Sequence, residues 1–357
     1  MPERKQRFEE ETPAGFAVPE AWRLVRDLMS HNPVIYFADF TLSAVIGYGA
    51  VWVYFMAPNW SPLQVAAFFV ATFGVFRAGV FIHEVVHMPG GKMTAFKAYW
   101  NLLYGVPMLT PSFMYANHTD HHARRYYGTA QDGEYQPFGL GGPGRIALYF
   151  AQVLAIPIFG IVRFLILAPL AWISPRMRAW VWRSASSYIS NPGYRRDVPR
   201  GEDHRWWVVG EVLCFLWLLF VVALFASGTL PFEYIIELYV LSVVAVFWNW
   251  LRNLAGHLFL SDGKPMSHEA QFLESVTVVG TPWLHELIFP VGLRYHAIHH
   301  LFPAMPYHNM PECHRRLMTQ LPANSGYHQT LYSSIWQVFA VLRRNMRRHQ
   351  VATTQRA

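Results

Sequence analysis

This chain has few charged residues and few cysteines, and it shows no sign of a signal sequence. Only 14% of its 357 residues are charged, whereas a soluble domain carries roughly 25%. The two cysteines, Cys214 and Cys313, lie in different segments, which argues against a disulfide framework or a cysteine-ligated zinc site. The amino terminus has no apolar stretch behind its first basic residues, so we expect no cleavable signal peptide. The shortage of charged residues favours a protein of the lipid bilayer.

The positive net charge of the chain limits the classes of binding partner that we expect. The net charge of +7 is carried mostly by arginines outside the apolar runs. No Lys/Arg-rich recognition helix accompanies it, so nucleic acid is not predicted as a partner. An anionic membrane surface or an acidic head group fits this distribution better.

Hydrophobic residues make up 53% of the chain and form long runs. The four runs that we predict to cross the bilayer are residues 34–57, 63–82, 207–226 and 232–250. At 1.5 Å per residue the first run reaches about 36 Å, more than the roughly 30 Å of a hydrocarbon core. Short turns join the runs into two helical hairpins. The pattern therefore predicts an all-α integral membrane protein with four spanning helices.

The distribution of lysine and arginine along the chain predicts how the protein is oriented in the membrane. The two hairpin turns contain neither residue, whereas the leader 1–33, the loop 174–206 and the tail 321–357 contain many. Because cytoplasmic segments are enriched in both residues, we predict that both termini are cytoplasmic. The expected organisation is a cytoplasmic leader, a membrane domain over residues 34–320 and a basic cytoplasmic tail.

Histidine is concentrated in three short motifs. Eight of the 17 histidines lie in His83-Glu84-Val85-Val86-His87, Asn117-His118-Thr119-Asp120-His121-His122 and His296-Ala297-Ile298-His299-His300. On a helix, positions i, i+3 and i+4 share a face, so we expect the histidines of each motif to point at one spot. Crowded imidazoles repel one another when protonated, and a metal removes this problem. The motifs therefore predict a metal centre.

A ninth candidate ligand is His257, in the segment Asn253-Leu254-Ala255-Gly256-His257. We predict that Asn253 and His257 lie one helical turn apart on a shared face. A structural zinc takes four protein ligands and a catalytic zinc three, so eight or nine histidines predict two metal ions. Imidazole ligation suits iron, zinc, copper or nickel, and a pair of redox metals with neutral ligands suits the activation of dioxygen.

A fifth apolar run, residues 146–173, is interrupted by Pro157, Arg163 and Pro169. If the histidine motifs form one site, they lie on one side of the membrane, and an even number of crossings separates each pair. A double crossing needs about 40 residues, more than this run supplies. We therefore expect an interfacial or re-entrant segment beneath a cytoplasmic helical cap.

A rival interpretation rests on the first motif alone, because it matches the H-E-x-x-H pattern of zinc proteases, with Glu84 as general base. It leaves the other two motifs without a role. Since Glu84 projects about 100° from His83 on a helix, the other role for Glu84 is support of the ligand imidazoles. Asp132 and Glu134 are further candidates for hydrogen bonds to those imidazoles, although Asp132-Gly133 is also a turn sequence.

The three motifs, with Leu301-Phe302-Pro303 after the third, resemble the histidine boxes of the membrane fatty acid desaturase family. The resemblance covers about residues 34–320, and the segment Asn253–Phe259 resembles an extra Asn/His pair of acyl-CoA desaturases. It implies four membrane helices under a cytosolic cap and two iron ions, with Asn253 acting through a water. The implied histidine ligands are His83, His87, His118, His121, His122, His257, His296, His299 and His300.

The resemblance also implies a reaction: O2-dependent introduction of a double bond into an acyl chain carried by CoA, ACP or a phospholipid. The expected electron source is a separate ferredoxin, rubredoxin or cytochrome, because we see no fused cytochrome b5. Hydroxylases and ketolases of alkanes, lipids and carotenoids have similar boxes, so hydroxylation stays an alternative. Candidates for binding a head group are Arg124, Arg125, Arg195 and Arg196, which positive-inside anchoring explains at least as well.

Overall fold

The fold is known from a computed structural model that describes residues 18–198 and 204–354. Most of these residues are helical, and the one β-sheet among them is a single pair of two-residue strands. The main elements, in chain order, are α1 (Val18–Val25), α2 (Pro33–Met56), α3 (Pro62–His87), α4 (Thr94–Trp100), α5 (His118–His121), α6 (Pro143–Val162), α7 (Ala168–Ile173), α8 (Pro175–Ser184), α9 (Arg205–Ala226), α10 (Glu233–Leu254), α11 (His268–Glu274), β1 (Thr277–Val278), α12 (Pro282–Ile288), α13 (His296–Leu301), α14 (Met310–Gln320), β2 (Leu331–Tyr332) and α15 (Ile335–Thr354).

Five helices in the described part of the chain are long and apolar enough to cross a membrane. They are α2, α3, α9, α10 and a helical run from Pro143 to Ile173 that joins α6 to α7 through a π-helical turn. The first four coincide with the predicted spans, and the fifth coincides with the segment predicted to be interfacial. The mostly helical fold with several long apolar helices agrees with the predicted all-α membrane protein, and the number of crossings stays a prediction.

The first hairpin begins and ends where local chemistry directs it. The Asn32 side chain accepts a hydrogen bond from the Val34 amide (3.0 Å), and Pro33 opens α2. Ser61 caps α3 in the same way, accepting from the Gln64 amide (3.1 Å). Asparagine and serine satisfy free amides at helix starts, and proline is favoured in the first turn. Helix α3 then continues past its predicted end to His87, so it carries the first histidine motif.

A pair of glycines brings α2 and α3 together. A Cβ atom added at Gly47 would lie 2.9 Å from the backbone carbonyl carbon of Gly74, and one added at Gly74 would lie 2.7 Å from the Cα atom of Gly47. Small residues let membrane helices approach this closely. The contact therefore fixes the position of α3 and of the histidines at its end.

We expect Gly47→Ala to destabilise the protein by about 1–3 kcal/mol, because the new methyl group overpacks a backbone contact. Gly49→Ala is the matched control, since nothing lies within 4 Å of a Cβ atom at that position of the same helix. Thermal unfolding in detergent micelles measures the effect, and only the Gly47 variant should melt earlier. Equal melting temperatures would show that the glycine contact does not limit helix packing.

Helix α10 ends at Leu254, which changes the expected relation of Asn253 and His257. The Ala255 amide donates to the carbonyls of Leu251 and Arg252 in the last turn, and the chain then leaves the helix. His257 lies in a bridge with Ser275. The prediction of a shared helical face was wrong, because the turn through Gly256 redirects the chain before His257.

Segments near both ends of the described chain pack against other parts of the fold. Helix α1 buries Ala21 and Val25, and Arg316 of α14 forms an ion pair with Asp27 (2.7 Å). Strands β1 and β2 pair in parallel, and α15 buries Val338 and Leu342. Residues 1–17 of the predicted leader lie outside the described residues.

Candidate metal centre

Nine histidines converge where α3, α5, α13 and the segment after α10 meet. They form two groups, and within each group the ligand nitrogens lie within 4.8 Å of one another. The first group is His83, His87, His118, His122 and His299; the second is His121, His257, His296 and His300. The structure therefore brings together every histidine that the sequence singled out as a ligand.

The second and third motifs each serve both groups, so the expectation that each points at one spot was wrong. His118 and His122 belong to the first group, whereas His121 between them belongs to the second. In α13 the arrangement is reversed, because His296 and His300 join the second group and His299 joins the first. In both motifs, the i and i+4 side chains share one group. One helical turn thus supplies ligands to two adjacent positions.

The spacing of the ring nitrogens fits metal ligation. In the first group, His122 Nε2 lies 3.1 Å from His118 Nε2 and 2.9 Å from His299 Nε2. In the second, His257 Nε2 lies 3.1 Å from the Nε2 atom of His121 and 2.9 Å from that of His296. Two nitrogens that each lie about 2.1 Å from one ion, at right angles, are about 3 Å apart. Each group therefore has room for one ion.

The protonation of these side chains also fits a metal. Both ring nitrogens of His83 are buried without a hydrogen-bond partner, which is costly unless a cation occupies the site. Burial lowers the pKa of His118, His122, His299 and His300 well below the usual range of histidine. Neutral imidazole is the form that binds metal. The nitrogen-only donor set suits transition metals such as iron.

Asp132 and Glu134 contact two of these histidines. Asp132 Oδ2 lies 2.9 Å from His121 Nδ1, and Glu134 Oε1 lies 2.6 Å from His118 Nδ1. Burial lowers the pKa of His121, but the neighbouring acidic side chains, Asp132 foremost and then Glu134 and Glu274, together outweigh burial, and the pKa is raised. Burial raises the pKa of Glu134 to about 7. A carboxylate on Nδ1 fixes the ring and leaves Nε2 for the metal.

A third supporting carboxylate was not predicted from the sequence. This carboxylate is Glu274, which acts through Tyr127. The Tyr127 hydroxyl lies 3.0 Å from His257 Nδ1 and donates a hydrogen bond to Glu274 (3.1 Å). Tyr135 donates to the other oxygen of Glu274 (2.6 Å), which is itself almost fully buried. The sequence contained one signal for this residue, because Glu274 is the only charged residue in the stretch Phe272–Val278.

We expect Glu274→Ala to weaken iron binding about 10–100-fold, the usual effect of removing a group that orients a ligand. The matched control is Glu269→Ala, in the same helix but only half-buried. Iron retained per protein against graded chelator concentrations measures the change. Equal retention by the two variants would mean that the two tyrosines hold His257 without Glu274.

Glu84 and Asn253 have other partners in the structure. Glu84 accepts hydrogen bonds from the Tyr36 hydroxyl and from the Tyr307 backbone amide (3.2 Å). These contacts connect α3 to α2 and to the segment before α14. The Asn253 side chain donates to the Tyr149 hydroxyl (3.3 Å). Asn253 also lines a cavity that His83 and Glu134 border. Its proposed action through a metal-bound water stays a prediction.

The candidate head-group arginines differ in exposure. Arg124 and Arg125 are exposed directly after the second motif. Arg195 donates to the carbonyls of Pro192 and Tyr194. Arg196 is buried and donates to the carbonyls of Phe113 and Ser186, contacts typical of a structural residue.

Comparison with known proteins agrees with this geometry. Residues 58–332 match the sequence profile of the family described as Fatty acid desaturase. The chain is also 36% identical over 331 residues to a ceramide hydroxylase of Caulobacter vibrioides (strain NA1000 / CB15N), a match that covers 92% of this chain and 93% of that protein. The chain therefore belongs to the fatty acid desaturase family, whose members are oxidoreductases that act on lipids.

Proposed function

We propose that this protein is a di-iron, O2-dependent lipid hydroxylase that acts on a ceramide or a related N-acylated lipid. The observation that carries the proposal is the double group of nine buried or half-buried histidines beside a cavity between two long apolar helices. Hydroxylation is proposed ahead of desaturation because the relative that matches nearly the whole chain is a ceramide hydroxylase.

The protein's own part in such a reaction is to hold ligands, exclude water and position one carbon. Asp132, Glu134 and Glu274 orient His121, His118 and, through Tyr127, His257. Helices α3 and α10 supply the apolar walls that place a lipid chain beside the histidines. When bound, the iron pair supplies the reduction and activation of dioxygen.

Desaturation by the same site is the second candidate, favoured by the family description. Hydroxylation consumes one O2, two electrons and two protons, places one oxygen atom in a C–H bond and releases the other as water. Desaturation consumes the same reagents but removes two hydrogens from the lipid and releases both oxygen atoms as water. The two outcomes share reductant and oxidant, so the product separates them.

For the electron donor we propose a small carrier protein such as a ferredoxin, rubredoxin or cytochrome. Arg124 and Arg125 are exposed two and three residues after the ligand His122, and they would attract an acidic carrier to this end of the site. Acyl-CoA, acyl-ACP and phospholipid stay as further acyl carriers.

The proposed membrane arrangement has four crossings, with both termini and the metal centre in the cytoplasm. Convergence of the histidine motifs supports it, because an even number of crossings must separate them. Between His122 and His257 lie α9, α10 and the run Pro143–Ile173. If α9 and α10 cross the bilayer in opposite directions, as the sequence predicts, that run would lie along the interface.

Wild-type protein purified with iron and supplied with reductant, ceramide and isotopically heavy dioxygen tests the proposal. Mass spectrometry should find lipid that has gained one heavy oxygen atom. Lipid that has lost two hydrogens and gained no oxygen would move the assignment to desaturation. Peptide cleavage without dioxygen would support the metalloprotease instead, a reading in which Glu84 would have to leave its hydrogen bonds to act as base.

A further inference from the structure

The cavity beside the histidines has an apolar body and one polar wall. Its volume is about 150 Å³. Phe76, Val80 and Ala245 contribute to the apolar part, whereas Thr110, Asn249 and Arg252 lie on the same lining as the ligand His83. A purely hydrocarbon guest needs no such wall. The polar residues are therefore the unexplained part of this cavity.

Arg252 is an unusual residue for such a position. Only 7% of its surface is exposed. Its Nε and Nη2 atoms donate to Asn249 Oδ1 (3.2 and 3.0 Å). Within residues 18–198 and 204–354, no carboxylate forms an ion pair with it. A buried cation without a carboxylate is costly unless other acceptors are available.

Thr110 is a second, independent indication that the cavity binds a polar atom. Its hydroxyl oxygen is buried and has no hydrogen-bond partner, and it lines the same cavity as Arg252. A hydroxyl can donate one hydrogen bond and accept two, so a bound molecule with a polar atom would satisfy it. Two unrelated elements, α10 and the loop before Ser112, thus present a buried guanidinium group and an unpartnered hydroxyl group to one space.

We propose that this polar wall binds a neutral carbonyl or hydroxyl oxygen at the polar end of the substrate lipid. Arg252 and Thr110 would donate hydrogen bonds to it. A neutral group is proposed ahead of a carboxylate or phosphate because the cavity already contains one acidic side chain, that of Glu134. The inference rests on the proposed lipid oxidation and adds to it the part of the lipid that is recognised.

The size of the cavity sets where oxidation occurs. Cavities of about 150 Å³ bind molecules the size of benzene, so the space shared by His83 and Arg252 holds only a short piece of a lipid. If the oxygen atom rests on Arg252, the carbon nearest the metals is only a few bonds away. The oxidised carbon therefore lies close to the amide or hydroxyl group and not in the middle of an acyl chain.

Binding without turnover tests the recognition step. The probe is a radiolabelled short-chain ceramide, added without reductant to the iron-loaded full chain in detergent micelles. We expect Arg252→Met to weaken binding about 10–100-fold, as for loss of a hydrogen bond from a charged donor, and Arg252→Lys to restore part of it. Iron content should stay at the wild-type level. Unchanged ceramide affinity in Arg252→Met would overturn the inference.

A second variant keeps the test valid if Arg252→Met does not fold. Thr110→Val removes the hydroxyl at nearly constant shape, and it should weaken ceramide binding while leaving the binding of a long-chain alkane unchanged. Equal weakening of both ligands would show loss of shape instead of polar recognition and would overturn the inference. Competition by phosphatidylcholine as strong as that by unlabelled ceramide would support the same carbonyl chemistry with an ester lipid as its source.

The position of the product completes the test and separates the two proposals. Fragmentation mass spectrometry of the wild-type product should locate the new oxygen or double bond within a few bonds of the amide or hydroxyl group. A change in the middle of the chain would overturn this inference and leave lipid oxidation standing. Ceramide binding that depends on Arg252, in a protein that oxidises no lipid, would instead support the recognition site and contradict the proposed function.

Discussion

A host that produces the His299→Ala variant should contain no more oxidised lipid than a host without the protein, a loss of more than about a hundredfold. His299 is fully buried and provides a nitrogen to the first group, 2.9 Å from that of His122. Removing a ligand costs more than removing a residue that only orients one, which already costs about 10–100-fold. Mass spectrometry of extracted lipids measures the product. Elemental analysis of the purified variant should show a lower iron content than that of the wild type.

The control for this prediction is His268→Ala, which removes an exposed histidine at the start of α11. It should retain wild-type lipid oxidation and iron. If His299→Ala kept its activity, His299 would not be needed at the catalytic centre, and a zinc site formed by the first motif alone would gain support. Glu84→Gln then gives a further distinction, because a protease base cannot be replaced by an amide.

The sequence predicted which histidines come together, because their signal is local. Histidines spaced i, i+3 and i+4 within a few residues share a small region of space in any helix. The division of the second and third motifs between two groups was not predictable in this way. It depends on how α5 and α13 are oriented against one another, which is a property of tertiary packing. Periodicity therefore identified the nitrogens but did not assign His121 or His299 to an ion.

The residues around the ligands show where local reasoning ends. Asp132 and Glu134 were proposed because they follow the second motif closely in the chain, and they contact His121 and His118. Glu274 supports His257 through Tyr127, which lies more than a hundred residues earlier, and no local pattern links them. Likewise, the sequence does not reveal that Arg252 and Thr110 share a cavity. Such long-range pairs are set by tertiary packing, which brings segments far apart in the sequence into contact.

Closing the cavity should abolish lipid oxidation while leaving the metal centre intact. Gly79 lies on α3 one turn before His83 and lines the cavity, and a Cβ atom added there would collide with the ring of Tyr104. We expect Gly79→Val to force that ring, or the valine itself, into the space of the substrate. Since misplacement by about 1 Å costs on the order of a hundredfold in rate, activity should fall by about that factor.

Two further variants separate a filled cavity from a damaged fold. Gly49→Val introduces the same side chain on α2, where nothing lies within 4 Å of a Cβ atom, and it should keep full activity. The double variant Gly79→Val with Tyr104→Ala makes room again and should recover part of the activity, a non-additive result expected only for residues in contact. All three variants should hold wild-type iron, because none removes a ligand. Loss of iron in Gly79→Val would mean instead that the substitution displaces His83, whereas full activity in that variant would show that substrate reaches the metals by another path.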